Sequence, residues 1–256
     1  MKKKIKKLFN FLGYELRNIS APTTIRALSN RPVGSMVSIL EDLRLRGLEC
    51  KSILDVGANS ASWSRLAMKV FPDAHYYLIE PQIEMENKLI AFTTQFKKST
   101  FFLCGAGAVN DILTLTIWDD FAGSSLLPIE DEKLLNNGKQ RKIEIVTIDD
   151  LIESNKIRIP ELIKLDIQGF ELEALKGATK TFGYTEVYIL EVSLLPFSDG
   201  PGMPILSDVI NFMLDYDYVV YDFAGFLRRP LDGALGQCDI CFVKKDGFLR
   251  QSNDWQ

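Results

Sequence analysis

The chain has 256 residues, 46% of them hydrophobic and 25% charged, and a formal net charge of −4. These fractions suit a soluble globular protein with a sizeable core and exclude collagen-like, disordered and disulfide-scaffold classes, and no apolar run approaches the roughly 18–20 residues of a membrane span. There is one histidine, His75, so imidazole bases and histidine metal clusters have that single position to use.

The chain opens on a basic stretch. Residues 1–18 carry Lys2, Lys3, Lys4, Lys6, Lys7 and Arg17 against Glu15, a net +5, which leaves −9 on the remainder. Ile5, Leu8, Leu12 and Leu16 recur at helical steps, while Asn10 and Gly13 interrupt the run too early for a secretory signal. Such a segment either lies on anionic lipid or docks on the body with its lysines solvated, the commoner use. A linker with Pro22 and Pro32 follows, then a helical pattern over 34–48 with Met36, Ile39, Leu40, Leu43 and Leu48.

From there short apolar runs alternate with amphipathic ones. Strands are predicted at 52–56, 75–79, 100–104, 162–166, 187–192, 218–222 and 239–243, and helices at 61–70, 82–96, 170–179 and 205–214. This alternation predicts an α/β fold with a mostly parallel sheet covered on both faces. Two further runs, 113–118 and 142–148, flank a polar insert with Gly123, Ser124, Ser125 and Gly138, read as an inserted hairpin or flap near the site. The stretch 223–238 holds four turn-forming residues, Gly225, Pro230, Gly233 and Gly236, and reads as a loop joining antiparallel neighbours. Cys238 and Cys241 have C-x-x-C spacing, but residues three apart on a strand face opposite ways, so buried free thiols are expected.

Ligands of such sheets gather at the carboxyl ends of the parallel strands. The first strand ends at Asp55-Val56-Gly57-Ala58-Asn59, where a glycine permits a tight turn before a helix. The dinucleotide pattern of three glycines is missing. The second strand ends at Glu80-Pro81, a carboxylate about 25 residues on, suited to ribose hydroxyls. These features point to an adenosine-containing ligand without a pyrophosphate. The fourth strand ends at Asp166, followed by Ile167-Gln168-Gly169-Phe170-Glu171, and the fifth at Glu191. One such carboxylate is readily explained as a helix cap; four at four strand ends are not.

Together, Asp55-Val56-Gly57-Ala58-Asn59, Glu80-Pro81, Ser124-Ser125 and Lys164-Leu165-Asp166-Ile167-Gln168-Gly169-Phe170-Glu171 through Lys176-Gly177 resemble the FkbM-type methyltransferases over about residues 50–245. The resemblance implies a class I, Rossmann-like sheet of seven strands with the last antiparallel, and S-adenosylmethionine as cofactor. It assigns cofactor contacts to Asp55, Val56, Gly57, Ala58, Asn59, Glu80, Pro81, Ala106 and Asp166, and implies O-methylation of a sugar, glycan or related metabolite. The chain departs from the family at Ala61, where the family has glycine. On this reading residues 1–48 form an N-terminal helical region and 49–256 the methyltransferase domain.

An alcohol must lose its proton to be methylated, which needs a base or a metal. His75 falls at the amino end of its strand, away from the site. The expected catalytic residues are therefore Asp166, with Glu191 and Glu171 as helpers, and Asp166 and Glu191 as ligands should magnesium take part. Trp63, Trp118, Phe121, Phe197 and Phe226 are either a sugar platform or core. No Asn/Asp-Pro-Pro-Tyr/Phe run follows the fourth strand and the body is acidic, so nucleic acid is not the expected acceptor. The expected location is cytoplasmic, with peripheral contact to anionic membrane through residues 1–18. A non-catalytic binding protein of the same fold is the alternative.

Overall fold

In the computed structural model, residues 31–128, 130–197, 202–252 and 254 are described. Residues 1–18, with their basic periodic stretch, lie outside them. Apart from Arg31, all the described residues belong to one unit, Pro32–Gln256.

Five central strands are mostly apolar, as strands buried on both faces must be. They are β1 (Ser52–Val56), β2 (His75–Ile79), β7 (Leu162–Leu165), β8 (Val187–Ser193) and β10 (Leu235–Lys244). With β3 (Ser99–Phe102) and β9 (Tyr218–Arg228) they form one sheet in the order β3-β2-β1-β7-β8-β10-β9. β10 runs antiparallel to both its neighbours, while the β1, β2, β3, β7 and β8 pairings are parallel. This is the seven-stranded sheet expected, with its last strand antiparallel.

Helices cover both faces. On one lie α1 (Met36–Leu45), α2 (Ser62–Met68) and α3 (Glu86–Gln95), which bury Ile39, Leu40, Leu43, Ala67, Leu89 and Phe92 against Ile53, Tyr76, Leu78 and Ile189. On the other lie α5 (Ile148–Glu153), α6 (Glu171–Lys176) and α7 (Leu206–Asp215), which pack Leu151, Ala174, Leu175, Val209 and Met213 against Leu54, Ile163, Tyr188 and Ile240. Side-chain caps set some of the starts: Ser35 accepts from the Ser38 N–H before α1, and Thr147 from the Asp150 N–H before α5. α1 is tied to the far edge strand by a hydrogen bond from the Tyr221 hydroxyl to Asp42, 2.7 Å. Cys238 and Cys241 fall in opposite core clusters, as strand alternation requires, and neither is in a disulfide.

Two stretches differ from the sequence reading. The insert is more than a hairpin: β4 (Gly105–Ala106), β5 (Asp111–Thr116) and β6 (Gln140–Val146) make a separate sheet in the order β4-β6-β5. It has its own small core of Leu115, Ile117, Ile143 and Ile145, and a short α4 (Glu132–Asn136) lies between β5 and β6. The supposed loop 223–238 is mostly strand. β9 and β10 extend to Arg228 and from Leu235, with irregular register where glycines sit. A Cβ on Gly225 would lie 2.1 Å from the Asp239 carboxylate, so this carboxylate occupies the space that the glycine leaves open. Glycines that signal turns can also permit close strand pairing.

Candidate active site

The turn after β1 is shaped by protein contacts. Gly57 has φ +78°, and a Cβ on it would lie 2.0 Å from the backbone oxygen of Asp166, so only glycine lets the ends of β1 and β7 approach this closely. The N–H groups of Gly57 and Ala58 both donate to the Ile79 carbonyl, at 2.9 and 3.1 Å. The turn thus spends these donors on β2. Ala61, where the family has glycine, has φ +60° and is fully buried in the core. Its methyl group faces the apolar cluster of α1 to α3, and Ala61 does not line the cleft described below.

Glu80, at the end of β2, is 2% exposed. One carboxylate oxygen accepts from the Asn59 N–H at 2.7 Å and the other from the Gln82 N–H at 2.9 Å. Burial raises its pKa, and the two backbone donors oppose that rise. A carboxylate has about four acceptor sites, so each oxygen retains capacity for a ligand hydroxyl.

A cleft of about 660 Å³ opens above these strand ends. Its floor and walls include Val56, Gly57, Asn59, Glu80, Pro81, Ala106 and Asp166, seven of the residues expected to hold the cofactor. The insert closes it from above through Phe121, Ser124 and Leu126. That cover is fastened down: the Gln82 amide donates to the Phe121 carbonyl at 3.0 Å, the Ser124 hydroxyl to Gln82 at 3.1 Å, and the Ser125 hydroxyl to the Gln168 carbonyl at 2.9 Å. The mixed polar and apolar lining suits a small-molecule site.

Two expected contacts lie elsewhere. Ala58 packs in the core rather than on the cleft wall. Asp55 is wholly buried beneath the floor, where one oxygen accepts from the Ser64 hydroxyl at 2.6 Å and the other has no hydrogen bond among the described residues. Its register partner on β7 is Lys164.

Lys164 organises the acidic end of the site. Its ammonium lies 2.8 Å from Asp166 with its side chain 7% exposed, and Asp166 is 31% exposed. Burial disfavours the ammonium, but Asp166 and Asp55 more than offset this and raise its pKa. Burial likewise opposes charge on Asp166, yet Lys164 outweighs it and holds the Asp166 carboxyl below the usual range. The Gln168 amide bridges two strand ends, donating to Asp166 at 3.1 Å and to Glu191 at 2.7 Å. Glu191 also accepts from Gln237 at 3.1 Å. Burial, then the charges of Asp166 and Glu171, push the Glu191 carboxyl well up. The two carboxylates are therefore driven apart: Asp166 toward the ion, Glu191 toward the acid.

The remaining expectations are corrected by packing. Glu171 is 3% exposed and accepts from the backbone N–H groups of Ile167 (2.9 Å) and Gly169 (3.3 Å), so it shapes the turn that carries Asp166 and does not reach the cleft. Burial lifts its carboxyl to about 7. Glu191 also lies outside the cleft, in a groove beside Gly225, Gln237 and Asp239. No group of three or more His, Cys, Asp or Glu side chains among the described residues is arranged to hold a metal. The oxygens proposed for magnesium are engaged by Lys164 and Gln168, a donor set that does not fit a hard cation wanting several free oxygens. His75 lies at the amino end of β2, paired with Thr100 at 3.0 Å.

Sequence reasoning missed Gln82, and it carried Lys164 only inside the motif and Phe121 only as a sugar-platform or core ring, giving neither its role here. Lys164 had a signal: a lysine two residues before Asp166 shares its strand face. The place of Phe121 over the cofactor cleft had no signal of its own, because it comes from the folding of the insert.

Residues 55–220 match the family model for the methyltransferase FkbM domain. A 50-residue stretch is 36% identical to the hexuronic acid methyltransferase AglP of Haloferax volcanii, covering 20% of this chain and 21% of that protein. Among solved structures, the methyltransferase FkbM from Methylobacillus flagellatus aligns at TM-score 0.47 and 21% identity, over 74% of this chain and 43% of that one. The O-methyltransferase TomG from Streptomyces achromogenes, in complex with S-adenosylmethionine, aligns at TM-score 0.47 and 12% identity, over 94% and 88%. The chain thus matches about a fifth of the curated relative's length and less than half of the FkbM structure.

Proposed function

The chain belongs to the FkbM methyltransferase family, and from that premise we propose that it is an S-adenosylmethionine-dependent O-methyltransferase acting on a hydroxyl of a sugar, glycan or related metabolite. The observation that carries this reading is the lining of one cleft by both Glu80 and Asp166. One is a carboxylate with spare acceptor capacity, the other a carboxylate kept ionised.

On this reading Glu80 receives the ribose hydroxyls, and Val56, Gly57, Asn59, Pro81 and Ala106 enclose the rest of the nucleoside. When bound there, S-adenosylmethionine would supply an electrophilic methyl group, its sulfonium sulfur–carbon bond giving way to the new oxygen–carbon bond and a neutral thioether remaining. Asp166 takes the proton released by the acceptor hydroxyl, and Lys164 and Gln168 hold its two oxygens in place. Its low pKa makes it a weak base, so proton transfer accompanies methyl transfer rather than preceding it. Alignment of donor and acceptor supplies the larger share, on the order of 7–11 kcal/mol. Residues 1–18 add a contact with anionic lipid that brings the enzyme to a membrane-borne acceptor.

The test is calorimetry with S-adenosylmethionine together with transfer of a labelled methyl group to a cell extract. Charge-assisted hydrogen bonds contribute about 1.5–3 kcal/mol each, so Glu80→Ala is expected to weaken the cofactor roughly ten- to hundred-fold. An affinity within twofold of wild type places the ribose elsewhere. Asp166→Asn should abolish transfer while leaving cofactor affinity nearly unchanged; undiminished transfer removes Asp166 as base. Cofactor binding with no methylated product from any hydroxylated pool favours a binding protein instead.

A further inference from the structure

A second cavity of about 670 Å³ adjoins the first, lined by Trp118, Ser125, Leu127, Gln168, Phe197 and Met203 among others. Ser125 lines both cavities. Gln168, on the wall of the second, donates to Asp166, on the wall of the first. The boundary between the two spaces therefore falls at the proposed base, where donor and acceptor of a transfer reaction have to meet.

The lining has two characters. Trp118 and Phe197 remain 43% and 48% exposed, and both of these large rings line the space. Gln168 supplies the polar contact, and it is held there at a cost: its φ is +55°, a strained conformation for a residue with a side chain. The Ser125 hydroxyl secures it by donating to its carbonyl. Gly169, next to it at φ +96°, has no room for a Cβ, which would lie 2.5 Å from Leu127. Among the described residues, no lysine or arginine lines this cavity. Asp166, kept ionised, is linked to it through the Gln168 amide, and Asp120 accepts from the N–H of its lining residue Gly123 at 3.2 Å; Arg229, which like Phe197 abuts Gly236, is paired with Asp232. Lys164 is committed to Asp166.

Resting on the methyltransferase reading, we propose that this second cavity is the acceptor subsite and that the ring it takes is an uncharged pyranose, not a hexuronate. The apolar face of such a ring stacks on Trp118 or Phe197, and its hydroxyls meet Gln168 and the Asp166 side of the cavity. A ring carboxylate would enter a space whose described lining offers no cation to receive it, with the Asp166 and Asp120 carboxylates beside it. This separates the chain's specificity from that named for its hexuronic acid-methylating relative.

Saturation-transfer difference NMR tests this on the full chain, with methyl β-glucopyranoside and its uronate analogue as probes at neutral pH. The neutral glycoside is expected to receive saturation, and the uronate to bind at least about tenfold more weakly. Trp118→Ala and Phe197→Ala should each reduce the glycoside signal several-fold without altering cofactor affinity. Phe197→Arg should strengthen uronate binding, an effect that a purely structural role for Phe197 does not produce. Uronate binding as tight as the glycoside, no glycoside binding, or a glycoside signal unchanged in both alanine variants overturns the proposal. Calorimetry with S-adenosylmethionine reads the donor side separately: no cofactor binding, with glycoside contact at Trp118 intact, overturns the methyltransferase reading and upholds the sugar subsite.

Discussion

Replacing Lys164 by methionine removes the cation that faces two carboxylates, Asp166 and Asp55, while keeping the length of the side chain. Lys164 touches Asp166 at 2.8 Å, its side chain is 7% exposed, and Asp55 faces it in register from β1. Removing one member of a buried ion pair costs about 3–5 kcal/mol, because the partner charge is left uncompensated. Asp166 is 31% exposed and keeps some solvent, so the lower end, about 3 kcal/mol, is expected. For a chain of this size that corresponds to a fall in Tm of about 6–12 °C.

The pH dependence has a definite sign. In the wild type Asp166 is held below its ordinary value by Lys164. Its contribution is therefore present above the unfolded carboxyl pKa, about 3.9, and is lost as pH falls through the folded value. In the variant burial prevails and raises the folded value, so the folded state binds protons that the unfolded state has released. The variant then loses stability as pH rises from about 4 toward 7. The gap between the two proteins should widen over that range when measured by urea denaturation followed by circular dichroism. Adding Asp166→Asn to the variant should recover part of the loss. A gap below about 1 kcal/mol at neutral pH, or one that does not change with pH, refutes the role given to Lys164.

Gly57→Ala combines a left-handed backbone with a Cβ placed 2.0 Å from the Asp166 carbonyl, and should cost at least about 3 kcal/mol or prevent soluble expression. Ala61→Gly should change stability by less than about 1 kcal/mol, since relief of the left-handed conformation (about 1–2) is offset by a lost buried methyl (about 0.8) and a more flexible unfolded chain. Its cofactor affinity should match wild type by calorimetry, because the methyl group lies in the core. Gln168→Ala should lower transfer more than cofactor binding and shift the pH–rate profile, since both Asp166 and Glu191 lose a donor; an unmoved profile argues that Gln168 only shapes the loop. Deleting residues 1–18 should reduce sedimentation with anionic vesicles while the urea midpoint of the body stays unchanged; equal sedimentation removes the lipid contact.

Much of the fold was legible because buried parallel strands must be apolar throughout. The runs at 52–56 and 75–79 coincide with β1 and β2, and the antiparallel last strand followed from the absence of a helical period before it. Residues at strand ends were legible as site candidates for the same reason: Val56, Glu80 and Asp166 lie where a parallel sheet gathers its ligands. The sequence alone therefore determined the layer order and the edge of the sheet on which chemistry is done.

Which carboxylate faces that edge was another matter. Asp55, Glu80, Asp166, Glu171 and Glu191 look alike as acids near strand ends, yet Asp55 lies under the floor, Glu171 holds a turn, and Glu191 opens into a neighbouring groove. Strand periodicity specifies a face and a level along the strand, but a carboxylate's role depends on which N–H and ammonium groups reach it, and those come from residues distant in sequence. Lys164 opposite Asp55, Asn59 against Glu80 and the insert over the cleft are contacts of this kind. Hydrogen bonding and desolvation are set by neighbours in space, so only the tertiary structure decided which acid is ionised, which is neutral and which is free to meet a ligand.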